Sequence, residues 1–222
     1  MDALKFLKLD MKLMRSQIRI FFIYPVMGLI IIYFIMNDIT FILGYMTFGF
    51  AIMATTPFSI ENTKHKRVFY FTLPARIESM VLGRFLTLIF AMVFFAVMSM
   101  ILVVLSLIKG GTVTNLQIFY YSIFASASFI LCLFQYILFF ELGVMKSQQF
   151  FVIIQMLPGM VIWLSMSFGS KYILQNQDRL TLLLDYGRRH IIGAVMAEIL
   201  FMGVIFYISY RISCQICREK EF

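Results

Sequence analysis

One run, Phe85 to Ile108, holds 24 consecutive residues with no charge, no proline and no glycine. Coiled as an α-helix it would reach about 36 Å, more than the roughly 30 Å of a bilayer's hydrocarbon core. Its only polar residues are Thr87, Ser99 and Ser106. A helix that is apolar all round has to be buried on every side, in a large protein or in a membrane. A 222-residue chain has no soluble core large enough to hide several such helices. Five further runs of similar character occur: Ile20–Met36, Ile39–Phe58, Leu116–Phe140, Phe150–Phe168 and Ile191–Tyr210. A hydrophobic fraction of 62% and a mean hydropathy of +0.92 agree with a membrane class and exclude an ordinary soluble domain. The expectation is a single all-α integral membrane domain over residues 1–222, with six transmembrane helices.

The net charge of +8 sits at the ends of these runs, so it sets topology rather than marking a nucleic-acid site. With both termini in the cytoplasm, the inner segments hold Lys5, Lys8, Lys12, Arg15, Arg19, Lys64, Lys66, Arg67, Arg76, Arg84, Lys146, Arg211, Arg218 and Lys220. The outer segments hold Lys109, Lys171, Arg179, Arg188 and Arg189, giving 14 against 5. Asn37-Asp38 makes a tight outer hairpin, and residues 109–115 form a plain outer turn. Pro25 and Pro158 lie inside spans and are expected to bend them. The first apolar run has no small-residue cleavage pattern, so no cleavable signal peptide is expected.

Residues 1–19 precede the first span. Lys5, Lys8, Lys12, Arg15 and Arg19 recur every three or four residues and form one basic stripe. Leu4, Leu7, Met11, Met14 and Ile18 follow beside it. This is the pattern of an amphipathic helix lying in the membrane interface, basic side to the lipid headgroups. A second segment of mixed character, residues 169–190, is too polar to span. It is expected to form a re-entrant or amphipathic element on the outer face.

The main internal polar break is Ser59 to Arg84. It carries the cluster Lys64-His65-Lys66-Arg67, then Leu73-Pro74-Ala75-Arg76, then Val81-Leu82-Gly83-Arg84. Pro74 suits the first position of a helix and Thr72 can cap it, so a short helix is expected from about Pro74, feeding span three. An acidic residue after the second span, Leu-Pro-x-x-Arg, and Val-Leu-Gly-Arg at the head of the third resemble the ABC-2 type transporter permeases. The match is to the small six-span permeases of bacterial peptide and antibiotic exporters. The residues that carry it are Glu61, Leu73, Pro74, Arg76, Val81, Gly83 and Arg84; the family usually has Ser or Thr where this chain has Ala75.

The resemblance implies a bacterial plasma-membrane exporter subunit with a cytoplasmic coupling helix between spans two and three. It implies a separate ATPase that binds the ATP and magnesium, a second permease subunit, and an amphipathic or hydrophobic cargo such as phenol-soluble modulins or antimicrobial peptides. The candidate ATPase-coupling residues are Glu61, Lys66, Tyr70, Pro74, Arg76, Glu78, Arg84 and Glu141. Phe69, Tyr70 and Phe71 are the apolar anchors of that set.

The chain offers little to an enzymatic reading. Its two histidines, His65 and His190, stand alone outside the spans, and no Gly-x-x-x-x-Gly-Lys-Ser/Thr loop is present. Cys214-x-x-Cys217 lacks a second pair of ligands and reads as reduced thiols. No cofactor is expected in this chain, and the chain is expected not to be an enzyme. The alternatives are a non-transporting membrane scaffold or sensor subunit and, further off, a membrane-embedded enzyme. One carboxylate, Glu198, lies inside span six. There it must face the bundle and either serve the transport path or hydrogen-bond to a Ser, Thr or Tyr of another span. The 26 Phe and 17 Met suit lipid contact and packing first, and an adaptable path for amphipathic cargo second.

Overall fold

The computed structural model describes residues 3–15, 19, 22–23, 25–28, 30, 46–47, 49–58, 76–108, 110, 115–143 and 191–220. Five helices are defined: α1 (Ala3–Met14), α2 (Gly49–Phe58), α3 (Ile77–Ile108), α4 (Asn115–Leu142) and α5 (Ile191–Lys220). Among the described residues there is no strand. Three helices there are long and apolar enough to cross a membrane: Ile77–Ile108, Ala125–Leu142 and Met196–Lys220. The fifth expected span, Phe150–Phe168, the outer segment 169–190 and about half of the first two spans lie outside the described residues.

The helix directions follow from who touches whom. Glu78 near the start of α3 meets Arg218 at the end of α5, so these two run antiparallel. Ser122 of α4 meets Glu198 of α5, and the end of α4 at Glu141 meets Lys220, so α4 and α5 run parallel.

The core is gathered at the end of the bundle where α3 begins. Phe58, the last residue of α2, stacks on Phe139 with centroids 4.6 Å apart and meets Tyr136 edge-on at 4.9 Å. Phe85 of α3 is fully buried and meets Tyr136 at 5.5 Å and Phe206 of α5 at 5.3 Å. Edge-to-face pairs of this kind add about 0.5–1.5 kcal/mol beyond their area. The Tyr136 hydroxyl donates to the Ala54 carbonyl at 2.6 Å, which fixes α2 against α4 and satisfies a phenol that burial would otherwise penalise. Away from this knot, α3 and α5 present bare apolar faces. Met100 is 69% exposed and Leu200 65%, as expected where lipid takes the place of protein.

Three expected boundaries shift. α3 begins at Ile77 rather than about Pro74: Arg76 stands at its N-cap, where its carbonyl accepts from the amides of Ser79 and Met80, the second being the helix's first i→i+4 bond. From Ile77 the helix continues through Arg84 into the apolar run with no break. The last helix does not stop at Tyr210 but runs ten residues further to Lys220, because nothing in Arg211–Lys220 is a helix breaker. α4 ends at Leu142, where Gly143 takes a positive φ of 75° and returns its amide to the Phe139 carbonyl at 3.2 Å, a glycine C-cap.

Candidate functional site

The head of α3 is the point on which both ends of the described chain converge. On its buried side lies α1. The face of α1 that packs inward is Phe6, Asp10 and Met14, spaced four apart. This is one step round from the apolar stripe expected from the sequence; Leu4, part of that stripe, is 68% exposed. Lys5, Lys8, Lys12 and Arg15 are all exposed, on the side of α1 opposite the packed face. α1 is therefore held by protein along one face, whatever its basic face meets.

Gly83 makes the close approach possible. A Cβ placed there would lie 2.4 Å from Phe6 Cβ and 3.0 Å from the Ala3 carbonyl oxygen, so any larger residue would push α1 off. Beside this contact the Arg84 Nε stands 3.5 Å from Asp10 Oδ2, with both side chains almost fully excluded from solvent. Thr87 Oγ1 lies 3.2 Å from the same carboxylate oxygen and 3.1 Å from the Gly83 carbonyl, and its one proton serves either acceptor. The Arg84 guanidinium also sits 4.9 Å above the Phe58 ring centre. Arg84, expected among the ATPase contacts, thus faces inward and binds α1 to α2 and α3. Asp10 escaped the sequence reading because it lies in a helix dominated by lysines. The available signal was its position on the Phe6–Met14 line, opposite the basic stripe.

The outer side of the same helix head is polar and accessible. The Glu78 carboxylate accepts from the Arg218 guanidinium, with the side chains 42% and 59% exposed. The Tyr210 hydroxyl lies 3.4 Å from the Glu78 carbonyl, a long contact that adds little. Arg76 is exposed. Lys220 donates to the carbonyls of Phe140, at 2.8 Å, and Glu141, two of the last acceptors of α4. The Glu141 side chain itself is exposed. Of the expected coupling set, Arg76, Glu78 and Glu141 thus stand at one end of the bundle, with Arg84 beneath them. Glu61, Lys66, Tyr70 and Pro74 lie outside the described residues.

Glu198 is remote from this rim. About 20 residues of α5 separate it from Arg218, or roughly 30 Å of helix. It lies in the α4–α5 seam, where Ser122 Oγ donates to its two carboxylate oxygens at 2.8 and 2.7 Å and Ser126 Oγ donates to Oε1. Of the two roles expected for it, the interhelical hydrogen bond is the one the geometry displays. Among the described residues, no group of His, Cys, Asp and Glu could hold a metal.

Family comparison closes the question of class: residues 5–218, nearly the whole chain, match the ABC-2 family transporter protein. The chain belongs to that family. Neither the curated proteins nor the solved structures contain a match. An ABC-2 protein is the membrane component of a transporter, not itself an enzyme, and such components generally work with an ATPase subunit. The long apolar helices and their lipid-like exposed faces are those of a membrane protein.

Proposed function

We propose that this ABC-2 protein is the permease subunit of an exporter in the bacterial plasma membrane. It would pair with a second permease and be driven by a separate ATPase bound beneath the end that carries Arg76, Glu78 and Glu141. The family match over residues 5–218 is the observation that carries this reading. Supporting it is the contrast between that polar, accessible rim and the apolar flanks of α3 and α5. A polar helix head continuous with a membrane helix can pass a displacement from a soluble partner into the bilayer. Hydrophobic or amphipathic cargo fits the Phe- and Met-rich composition, and peptides of the phenol-soluble modulin or antimicrobial type are the proposed class.

The test is the double variant Arg76→Glu with Tyr70→Ala. It should insert and purify as the wild type does. It should also lose co-purification of the ATPase, or hydrolyse ATP without transport. Normal ATPase binding with normal transport in this variant would make the stretch a topological loop and overturn the docking part of the reading. Absence of both an ATPase partner and transport in the wild type would favour a membrane scaffold.

A further inference from the structure

The apolar stretch of the last helix ends at Tyr210, yet α5 stays helical through Lys220. These extra ten residues, about 15 Å of helix, are not needed to cross a bilayer. Cys214 and Cys217 pack them into the core, and polar contacts fasten their tip. Arg218 and Lys220 are two positions apart, so they leave the helix in nearly opposite directions. Arg218 reaches Glu78 at the head of α3, and Lys220 reaches the Phe140 and Glu141 carbonyls at the foot of α4. Gln215 Nε2 donates to Glu219 Oε1 at 2.9 Å one turn apart, keeping the terminal turns wound. The end of α5 is therefore wedged between two elements that the chain visits some 60 residues apart. Each of them carries a residue of the proposed ATPase rim.

We propose that the last turns of α5 are a strap that makes the head of α3 and the foot of α4 move as one body when the ATPase pushes. Arg218 and Lys220 are its positioning residues. The inference rests on the docking reading given above, since it concerns how a push on that rim is shared. Without the strap, a displacement at Glu78 would enter α3 first and reach α4 only through apolar contacts such as Phe85–Tyr136 and the Phe58 ring, which lies against both Arg84 and Phe139. With it, both helices take the load and their far ends shift together. The strap's side chains are exposed, so its contacts can be changed without opening the core.

The experiment uses the permease reconstituted with its ATPase in inside-out proteoliposomes. Two rates are read: ATP hydrolysis, and ATP-driven uptake of a dansyl-labelled cationic amphipathic peptide. Arg218→Glu should elute from gel filtration as the wild type does and keep the ATPase. Its uptake per ATP hydrolysed should fall by about fivefold or more, the scale of a typical coupling between sites. Arg218→Lys, which keeps the charge and a donor for Glu78, should retain most of that ratio, and Arg218→Gln should fall between the two. Lys220→Gln should lower the ratio and Lys220→Arg preserve it. An unchanged ratio in Arg218→Glu, with the ATPase bound, overturns the strap and leaves the docking reading intact. Loss of the ATPase from Arg218→Glu also overturns it, since Arg218 would then be a direct contact. If the wild-type permease binds no ATPase, the docking reading fails and the strap fails with it.

Discussion

Asp10 and Arg84 form the pair whose removal should be most costly. Both side chains are nearly fully buried, so each charge has the other in place of water. Asp10→Leu strands the Arg84 guanidinium and should lower stability by about 3–5 kcal/mol. Adding Arg84→Met removes the stranded charge, and the double variant should regain most of the loss, since apolar replacement of a buried pair is often close to neutral. Thermal unfolding of the detergent-purified proteins would check this; a double variant as unstable as Asp10→Leu alone would show that the pair is not the source. This node was only half legible beforehand. Arg84 stood out as a motif residue at the head of an apolar run and was expected among the ATPase contacts; nothing local pointed to a carboxylate more than 70 residues upstream. Gly83 was visible as part of a motif, while its reason, that Phe6 and the Ala3 carbonyl occupy the space a side chain there would need, is a tertiary fact.

At the level of elements, the seam between α4 and α5 is closed at both ends by polar contacts and filled by apolar residues between. The Glu198 contact was the easier one to foresee, because a carboxylate in an apolar run must find donors, and Ser122 and Ser126 lie one turn apart on one face of α4. Glu198→Gln keeps two acceptor or donor positions and should behave nearly as the wild type. Glu198→Leu removes both serine contacts and should cost about 1–2 kcal/mol. Ser126 limits the damage, since its hydroxyl has a second acceptor in the Ser122 carbonyl at 2.9 Å. Transport and melting temperature measured side by side would check both variants; wild-type values for Glu198→Leu would make the carboxylate dispensable. The helix ends were less legible than the helices. The apolar run ends at Tyr210, but hydropathy marks lipid contact and not helix length. The turns from Arg211 to Lys220 are held by burial of Cys214 and Cys217 in the core and, at their tip, by charge, capping and i,i+4 bonding.

For the whole molecule, the directions of α3, α4 and α5 and the alternation of apolar runs give one orientation test. If the Arg76–Glu78–Glu141 end is cytoplasmic, as the 14 to 5 distribution of Lys and Arg requires, a cysteine at Lys66 should be protected from an impermeant thiol reagent applied to intact cells. A cysteine at Gly111 should be labelled in the same cells. The opposite pattern would put the polar rim outside, where no ATPase can reach it. The membrane class and the positions of spans three, four and six were readable from run length alone, because a bilayer sets a minimum apolar length. The convergence of both chain ends on the head of α3 was not, because it depends on contacts between residues far apart in sequence.

That convergence also sets an order of birth. α1 is made well before α3: Gly83, Arg84 and Thr87, the residues that receive it, leave the ribosome some 70 residues later. At roughly 5–20 residues per second the delay is about 4–15 s. Through that interval Asp10 has no Arg84 beside it, and Phe6 and Met14 have no helix to lie on. The nascent α1 waits, unmatched, until the head of α3 has been delivered. Completion of this contact then reports that the chain has been read at least as far as Thr87, while the partners that α4 and α5 will supply are still to be made.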